Sequence, residues 1–286
     1  MKSLDSRQRF LFEDTHIRGE ITTLSSSFEA IKSRQNYPAQ VNVILGEFLA
    51  AASLLSATLK FTGIVSIQAI GRGAIKTIMA ECSNKSRLRG IVRGDIEAIT
   101  DKDDFHSLLA NATLAITIEP DDGERYQGIV PIESSDLSSC LEHYFAQSEQ
   151  LSTKIKLAAN DHSAAGVLIQ QMPHDSNDKK AHDDWQQLSL LLASLKSDEQ
   201  LNLDHETQLY RLFHEQNVRL YQPEALQFFC SCSKPRTAKT LISLGFEEVE
   251  KIQQELGTIE ITCDFCGQQY HFDKKDIDQL FERDHS

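Results

Sequence analysis

Val41-Asn42-Val43-Ile44-Leu45-Gly46-Glu47-Phe48-Leu49-Ala50-Ala51-Ala52-Ser53-Leu54-Leu55-Ser56-Ala57-Thr58-Leu59 is the longest apolar stretch of the chain. Pro38 stands just before it, where a first-turn proline loses no helical hydrogen bond. The spacing predicts a helix from Pro38 to about Lys60. Val41, Ile44, Leu45, Phe48, Leu49, Leu54 and Leu55 cover most of its sides, so it is expected to be buried rather than to lie on a surface. Asn42 and Glu47 interrupt the run. No stretch of about eighteen uninterrupted apolar residues occurs, so no membrane span is expected.

Strand patterns surround this helix. Residues 9–13 and 17–23 read as two strands joined at Asp14-Thr15-His16. Ser25 to Ser27 can open a short helix containing Phe28 and Ile31. Strand-like runs follow at 63–70, 74–82, 88–92 and 112–118, punctuated by Gly71, Gly73, Gly90, Gly94 and Gly123. A further strand at 126–132 follows the hairpin signal Asp122-Gly123. Residues 134–147 read as a helix with Leu137, Cys140, Leu141, Tyr144 and Phe145 on one face. Strands at 151–157 and 165–171 close the series. The fold class is expected to be α+β: an N-terminal domain with a mostly antiparallel sheet and a long buried helix, then a helical linker and a small C-terminal domain.

The bulk numbers fit this reading. The chain has 286 residues, 40% hydrophobic and 25% charged, as in an ordinary globular protein with ample core. A formal net charge of −13 argues against a phosphate-binding surface. Met1-Lys2-Ser3-Leu4-Asp5 lacks the apolar core of a secretory signal, which predicts a cytoplasmic protein with reduced thiols.

After Pro173 the composition turns polar and charged through Asp184, marking a boundary. Trp185, Leu188, Leu191, Leu192 and Leu195 then recur at helical spacing, and a second amphipathic helix carries Leu209, Leu212 and Phe213. Val218, Leu220 and Tyr221 precede Pro223. Residues 178–225 thus hold about two helices and no core of their own, so their apolar faces need cover from elsewhere. They are expected to lie on the first domain; a conditional latch is the alternative. His174, His182 and His205 lack ligand spacing and are expected at a solvated surface. No Gly-x-Ser-x-Gly elbow, dinucleotide fingerprint or phosphate-binding loop occurs, so no enzyme is expected.

Four of the six cysteines form two close pairs near the C-terminus, Cys230-Ser231-Cys232 and Cys263-Asp264-Phe265-Cys266. Such pairs suit the edges of a tetrahedral four-thiolate site, for which zinc is the natural ion. A redox Cys-x-x-Cys with an unrelated neighbour, or four free thiols, are the other readings. Helices at 236–244 and 246–256 are expected to end at Gly245 and Gly257. Strands at 258–262 and 268–272 then place Cys263 and Cys266 at a hairpin tip, with Gly267 supplying a positive φ. Asp273 can cap a last helix with Ile277, Leu280 and Phe281 inward. A unit this small buries little, and structural zinc would supply roughly 10 kcal/mol or more of its folding free energy. Cys82 and Cys140, far from the others, are expected to be small buried hydrophobes.

The cysteine pattern, Arg9-Phe10-Leu11-Phe12-Glu13 with Arg18-Gly19-Glu20, Gly123-Glu124-Arg125-Tyr126-Gln127-Gly128-Ile129-Val130, and Tyr144-Phe145-Ala146-Gln147-Ser148-Glu149-Gln150-Leu151 together resemble the 33 kDa chaperonin family of redox-regulated holdase chaperones. The resemblance covers essentially the whole chain. It implies one Zn2+ per chain on Cys230, Cys232, Cys263 and Cys266 in a reduced, inactive form. It implies that oxidants pair Cys230 with Cys232 and Cys263 with Cys266, that zinc is then lost and the linker unfolds, and that the active form is a homodimer binding unfolding client proteins without ATP. The parts would be a core domain for client binding and dimerisation at 1–177, a metastable linker at 178–225 and a redox-switch domain at 226–286. The apolar linker face of Trp185, Leu188, Leu191, Leu192, Leu209 and Phe213 is the candidate client surface.

Two other classes remain readable. A zinc-ribbon nucleic-acid-binding module is disfavoured because residues 224–286 carry twelve acidic and seven basic side chains. A thiol–disulfide oxidoreductase would want Cys263 at a helix N-terminus, whereas a strand pattern follows it.

Overall fold

The hairpin expected at the N-terminus is formed by β1 (Ser6–Phe12) and β2 (Ile17–Leu24), turning at Asp14 with φ 65°. The structure, a computed structural model, describes residues 5–58, 62–100, 103–174 and 178–282. Two units compose it, Met1–Phe229 and Cys230–Ser286. In the first unit the chain continues through α1 (Ser26–Lys32), α2 (Ala39–Ala57), β3 (Gly63–Ile70), β4 (Ile75–Ser83) and β5 (Arg87–Gly94). Then come α3 (Phe105–Leu108), β6 (Thr113–Pro120), β7 (Tyr126–Pro131), α4 (Leu137–Tyr144), β8 (Thr153–Ala159) and β9 (Ala164–Gln171). A π-helical turn, Phe145–Glu149, extends α4.

The α+β class stands, but the strands form two six-stranded sheets rather than one. The first runs β10 (Val218–Leu220), β1, β2, β9, β8, with β11 (Glu224–Ala225) also on β1; the second runs β12 (Gln227–Phe228), β5, β4, β3, β6, β7. Strands β10, β11 and β12 all come from the segment just before the cysteines. Alternation along a strand fixes which side chains point inward; it does not say which neighbour a strand takes. Helix α2 lies between the sheets. Its Leu45, Phe48, Leu49 and Leu54 share one core with Leu24, Ile155 and Leu168 of the first sheet and Val65, Ile67, Ile78 and Leu88 of the second. Ala39–Ala57 is the one helix among the described residues long and apolar enough to cross a membrane, and 78% of its apolar window is buried in the protein. Pro38 is its N-cap rather than its first residue, and the end expected at Lys60 lies outside the described residues.

Helix α1 shows a cap from an unexpected place. Ser25 makes no side-chain cap bond; instead the Asp5 carboxylate accepts from the amides of Ser25 and Ser27, 2.6 Å for the latter. Gly19 faces Phe10 across the β1–β2 ladder, and the Phe10 ring occupies the space a Cβ would need.

Beyond β9 the sequence reading gains one element. Three helices follow, α5 (Lys179–Ala193), α6 (Ser197–Asn202) and α7 (His205–Phe213), not two. The extra one, α6, carries a single apolar residue, Leu201, so periodicity gives it no signal; buried Gln200 holds it, donating to Lys156 O at 2.8 Å. The boundary expected at residue 177 lies outside the described residues. These helices cover the outer face of the first sheet. Leu188, Leu192, Leu195, Leu209, Leu212 and Phe213 form a second core with Phe10, Phe12, Ile17, Ile21, Val167 and Ile169. Each fully buried side chain of that size contributes about 1.5–3 kcal/mol relative to exposure, so the layer has a real hold yet no core apart from the sheet.

The second unit comprises α8 (Lys234–Leu244), α9 (Phe246–Leu256), β13 (Ile259–Thr262), β14 (Gln269–Phe272) and α10 (Lys274–Glu282). Its core is small: Ala238, Leu241, Val249, Ile259, Phe272, Ile277 and Phe281. Gly245 and Gly257 end α8 and α9 at φ 87° and 77°, and Asp273 Oδ1 accepts from Asp276 N at 2.9 Å, capping α10.

Candidate metal centre

Cys230 and Cys232 lie just before α8, whose N-cap Ser233 accepts from Arg236 N. Cys263 and Cys266 lie at the tip of the β13–β14 hairpin. There the amides of Cys263 and Gly267 donate to Gln268 O and Cys263 O, both at 2.8 Å, and Gly267 has φ 72°. That turn needs the left-handed region, which glycine reaches without a Cβ penalty.

The two edges converge. All four Sγ atoms lie within 4.8 Å of one another, each partly exposed. Cys230 Sγ is 3.7 Å from Cys263 Sγ, and Cys232 Sγ is 3.3 Å from Cys266 Sγ. A tetrahedron with metal–sulfur bonds of about 2.3 Å has edges of about 3.8 Å. The first distance fits, and the second needs a shift of a few tenths of an ångström. Four soft donors at this spacing could hold a metal ion.

One neighbour donates to a sulfur, and another holds the residue between two of them. Tyr270 on β14 donates its hydroxyl to Cys232 Sγ at 3.1 Å. Arg236 donates to Ser231 O at 3.1 Å and to Ser231 Oγ, which keeps a guanidinium beside the first pair. Burial raises the thiols of Cys230 and Cys266. Burial opposes ionisation of Cys232 too, but the Tyr270 hydroxyl and the neighbouring thiols bring it down to about 7. The hydrogen bond to Cys232 in turn pushes Tyr270 up to about 12. Nothing local marks Tyr270 as a sulfur donor beyond its alternation with Phe272.

The other candidates fall as follows. Trp185, Leu188, Leu191, Leu192, Leu209 and Phe213 all belong to the core over the first sheet, with Trp185 and Leu191 only half-buried. Cys82 and Cys140 are buried at 0% and 2% exposure, and burial raises both thiols. His182 is exposed and His174 half-buried, stacked on His16 at 5.8 Å. His205 corrects the surface expectation: it is 6% exposed, its Nδ1 2.7 Å from Gln8 Oε1 and its Nε2 3.0 Å from Thr23 Oγ1. Alternation could not reveal this, since its partners come from β1 and β2.

Sequence reasoning also missed the segment 217–229. It pairs with β1 through β10 and β11 and with β5 through β12. Arg34 and Arg87 lie over the rings of Phe228 and Phe229, at 4.4 and 4.1 Å from the centroids. Residues 224–228 alternate weakly, and strands of two or three residues lie below what periodicity can detect.

Against known proteins, the Hsp33 protein family model matches residues 5–273. The 33 kDa chaperonin of Pseudomonas aeruginosa (strain LESB58) is 45% identical over 284 residues, covering 98% of this chain and 96% of its own. That of Aeromonas salmonicida (strain A449) is 42% identical over 287 residues, covering 99% and 97%. The crystal structure of the 33 kDa chaperonin from Thermotoga maritima superposes with a TM-score of 0.85 at 19% identity, covering 98% of this chain and 99% of that one. With sequence similarity and fold agreeing over nearly the full length, the chain belongs to the Hsp33 family.

Proposed function

We propose that this protein is a redox-regulated, ATP-independent holdase chaperone of the cytoplasm, held inactive by one zinc ion per chain. Family membership supports the chaperone class. The observation that carries the switch is the juxtaposition in the chain of a four-cysteine cluster with a linker that has no core of its own. Three functional parts follow: a client-binding and dimerising core to about residue 177, a metastable linker at 178–225, and a redox switch at 226–286.

In the reduced protein Cys230, Cys232, Cys263 and Cys266 serve as thiolate ligands. Zinc, when bound, supplies cross-linking between α8 and the hairpin and holds all four sulfurs deprotonated. Tyr270 donates to the Cys232 sulfur, and Arg236 fastens Ser231 between Cys230 and Cys232. Thiolate is the form of cysteine that peroxide attacks. Each pair, Cys230 with Cys232 and Cys263 with Cys266, forms one S–S bond; its two electrons pass to one peroxide, which takes two protons and becomes two waters. The sulfurs are then no longer ligands. Loops of three and four residues return little stability as disulfides, because that stabilisation grows with loop length. A unit with so small a core then loses its fold, and the segment leading into it loses its anchor. The linker helices come away, baring Phe10, Phe12, Ile17, Ile21, Val167 and Ile169 together with their own apolar face. Apolar surface of that kind is what an unfolding client needs, and two oxidised chains associate as a homodimer. The net charge of −13 keeps such complexes dispersed.

The test is suppression of aggregation of a chemically denatured client by reduced, zinc-loaded protein and by the same protein treated with peroxide under mild heat. Activity only after oxidation supports the switch. Equal activity in both forms sinks it.

A further inference from the structure

The outer edge of β1 is covered by the chain's own segment 217–226, bonded backbone to backbone. Glu13 N donates to Asn217 O at 2.8 Å, Tyr221 N to Arg9 O at 2.9 Å, and Leu226 N to Asp5 O at 3.1 Å. The ladder is antiparallel, with Phe10 opposite Leu220, Leu11 opposite Arg219 and Phe12 opposite Val218. Farther along, Arg7 faces Glu224 and Ser6 faces Ala225, so the register slips by one residue around Gln222-Pro223. Val218 and Leu220 pack on the core of Phe10, Phe12 and Phe213, while Arg219 stays exposed. The segment runs on through Phe229 to Cys230, so it ends at the first sulfur of the metal centre.

We propose that the β1 edge is a strand-addition site for an extended, apolar-alternating segment of an unfolded polypeptide, and that residues 217–226 fill it in the reduced protein as a built-in stand-in. The proposal rests on the switch described above, which frees the segment. An open edge presents a row of N–H and C=O groups that order an incoming strand. Main-chain bonds read no sequence, which suits a binder of many different unfolded chains. Alternate side chains of the incoming strand fall on the apolar surface beside Phe10 and Phe12, as Val218 and Leu220 do now. The β5 edge opens as well, but β12 covers only two of its residues, Arg87 and Leu88. The β1 edge spans residues 5–13 and adjoins the uncovered apolar face, so it is the site.

The parity of the ladder gives a clean test. The amides of Arg219 and Tyr221 point toward β1; those of Val218 and Leu220 point away. A fluorescent synthetic peptide of residues 217–226 is titrated with full-length protein, reduced and oxidised, by anisotropy. The same peptide is made with N-methyl groups at Arg219 and Tyr221, and separately at Val218 and Leu220. Capture is expected by the oxidised protein only. Methylation at Arg219 and Tyr221 is expected to weaken it at least tenfold, and methylation at Val218 and Leu220 less than threefold. Excess unlabelled peptide is expected to restore client aggregation. Equal weakening by both methylation patterns, or no capture by oxidised protein that still protects clients, overturns the edge site. Oxidised protein that captures the peptide with this pattern but protects no client overturns the chaperone reading and leaves the edge pairing standing.

Discussion

Arg7 on β1 grips Glu224 on β11 with two nitrogens on one oxygen: Nε at 2.9 Å and Nη2 at 2.8 Å from Oε2. The Arg7 side chain is 4% exposed and that of Glu224 60%. Arg7 is also held by Ser53 O, Ser56 Oγ and Asn84 O. A buried guanidinium thus uses its ion pair with Glu224 to fasten the segment that leads to the cysteines.

Replacing that partner loosens the segment. Glu224→Gln leaves Arg7 with neutral acceptors only, at a cost of about 1–2 kcal/mol given the exposure of Glu224. Amide exchange at residues 218–226 is expected to speed up roughly tenfold or more in the reduced protein. Exchange in β3 and β6 is expected to stay as it was. Unchanged exchange at 218–226 would show that the pair does not fasten the segment.

Phe213 packs the end of α7 onto β1. Its ring meets Phe12 edge-on at 4.8 Å and Phe10 at 6.4 Å, and it is 1% exposed. Phe213→Ala removes about 3–5 kcal/mol of packing. Because the linker has no other core, reduced and fully zinc-loaded Phe213→Ala is expected to suppress client aggregation without oxidant. Retained zinc, measured in the same sample, separates this from damage to the metal centre.

A pH dependence follows from His205. Burial holds it down to about 4 from an ordinary 6.5, with Asp204 acting against the shift. Its Nδ1–H donates to Gln8 Oε1, a tautomer inferred from the neighbouring bonds: Gln8 Nε2 donates to Tyr221 O at 2.9 Å, so Gln8 Oε1 is the acceptor. The released linker binds the proton below 6.5 and the docked one does not. Docking is therefore strongest above 6.5, weakens as pH falls toward 4 and levels off below, by up to about 3 kcal/mol. Glu47, raised to about 7 by burial and by Asp136, slopes the other way. The measurement is thus a difference: the linker exchange rates of wild type and His205→Gln between pH 4 and 6.5. The variant is expected to lose the acid-side weakening, and parallel profiles would contradict the assignment.

Legibility in the sequence differs between the parts of this fold and site. Long periodic runs were readable: the apolar run produced buried α2, and strands β3, β7 and β9 came within a residue or two of their observed ends. The cysteine spacing pointed to the cluster, and the hairpin around Gly267 was visible because glycine and alternation agree there. Partners brought together from distant positions were not readable. Asp5 capping α1, Arg7 holding Glu224, and His205 between Gln8 and Thr23 join residues up to 217 positions apart, with no local pattern to mark them. Nor could alternation separate one sheet from two.

Tyr270→Phe tests the neighbour of the metal centre. It keeps the ring and removes the hydroxyl that donates to Cys232 Sγ. Outer partners of this kind are worth roughly 10–100-fold in metal affinity. Competition with a chromogenic chelator under reducing conditions is expected to show weaker zinc binding by that order. Identical affinity would leave the hydrogen bond without a role in holding the ion.

Under the proposed switch, loss of the four thiolates in the second unit frees the linker helices α5 to α7 and the segment after them. Hydrogen exchange of the full-length protein, reduced with zinc and oxidised without it, tests this most directly. Amides at 179–226 are expected to lose protection on oxidation while α2, β3, β4 and β6 keep theirs, in the same sample that begins to hold clients. A linker that stays protected in oxidised, zinc-free protein that holds clients would contradict it.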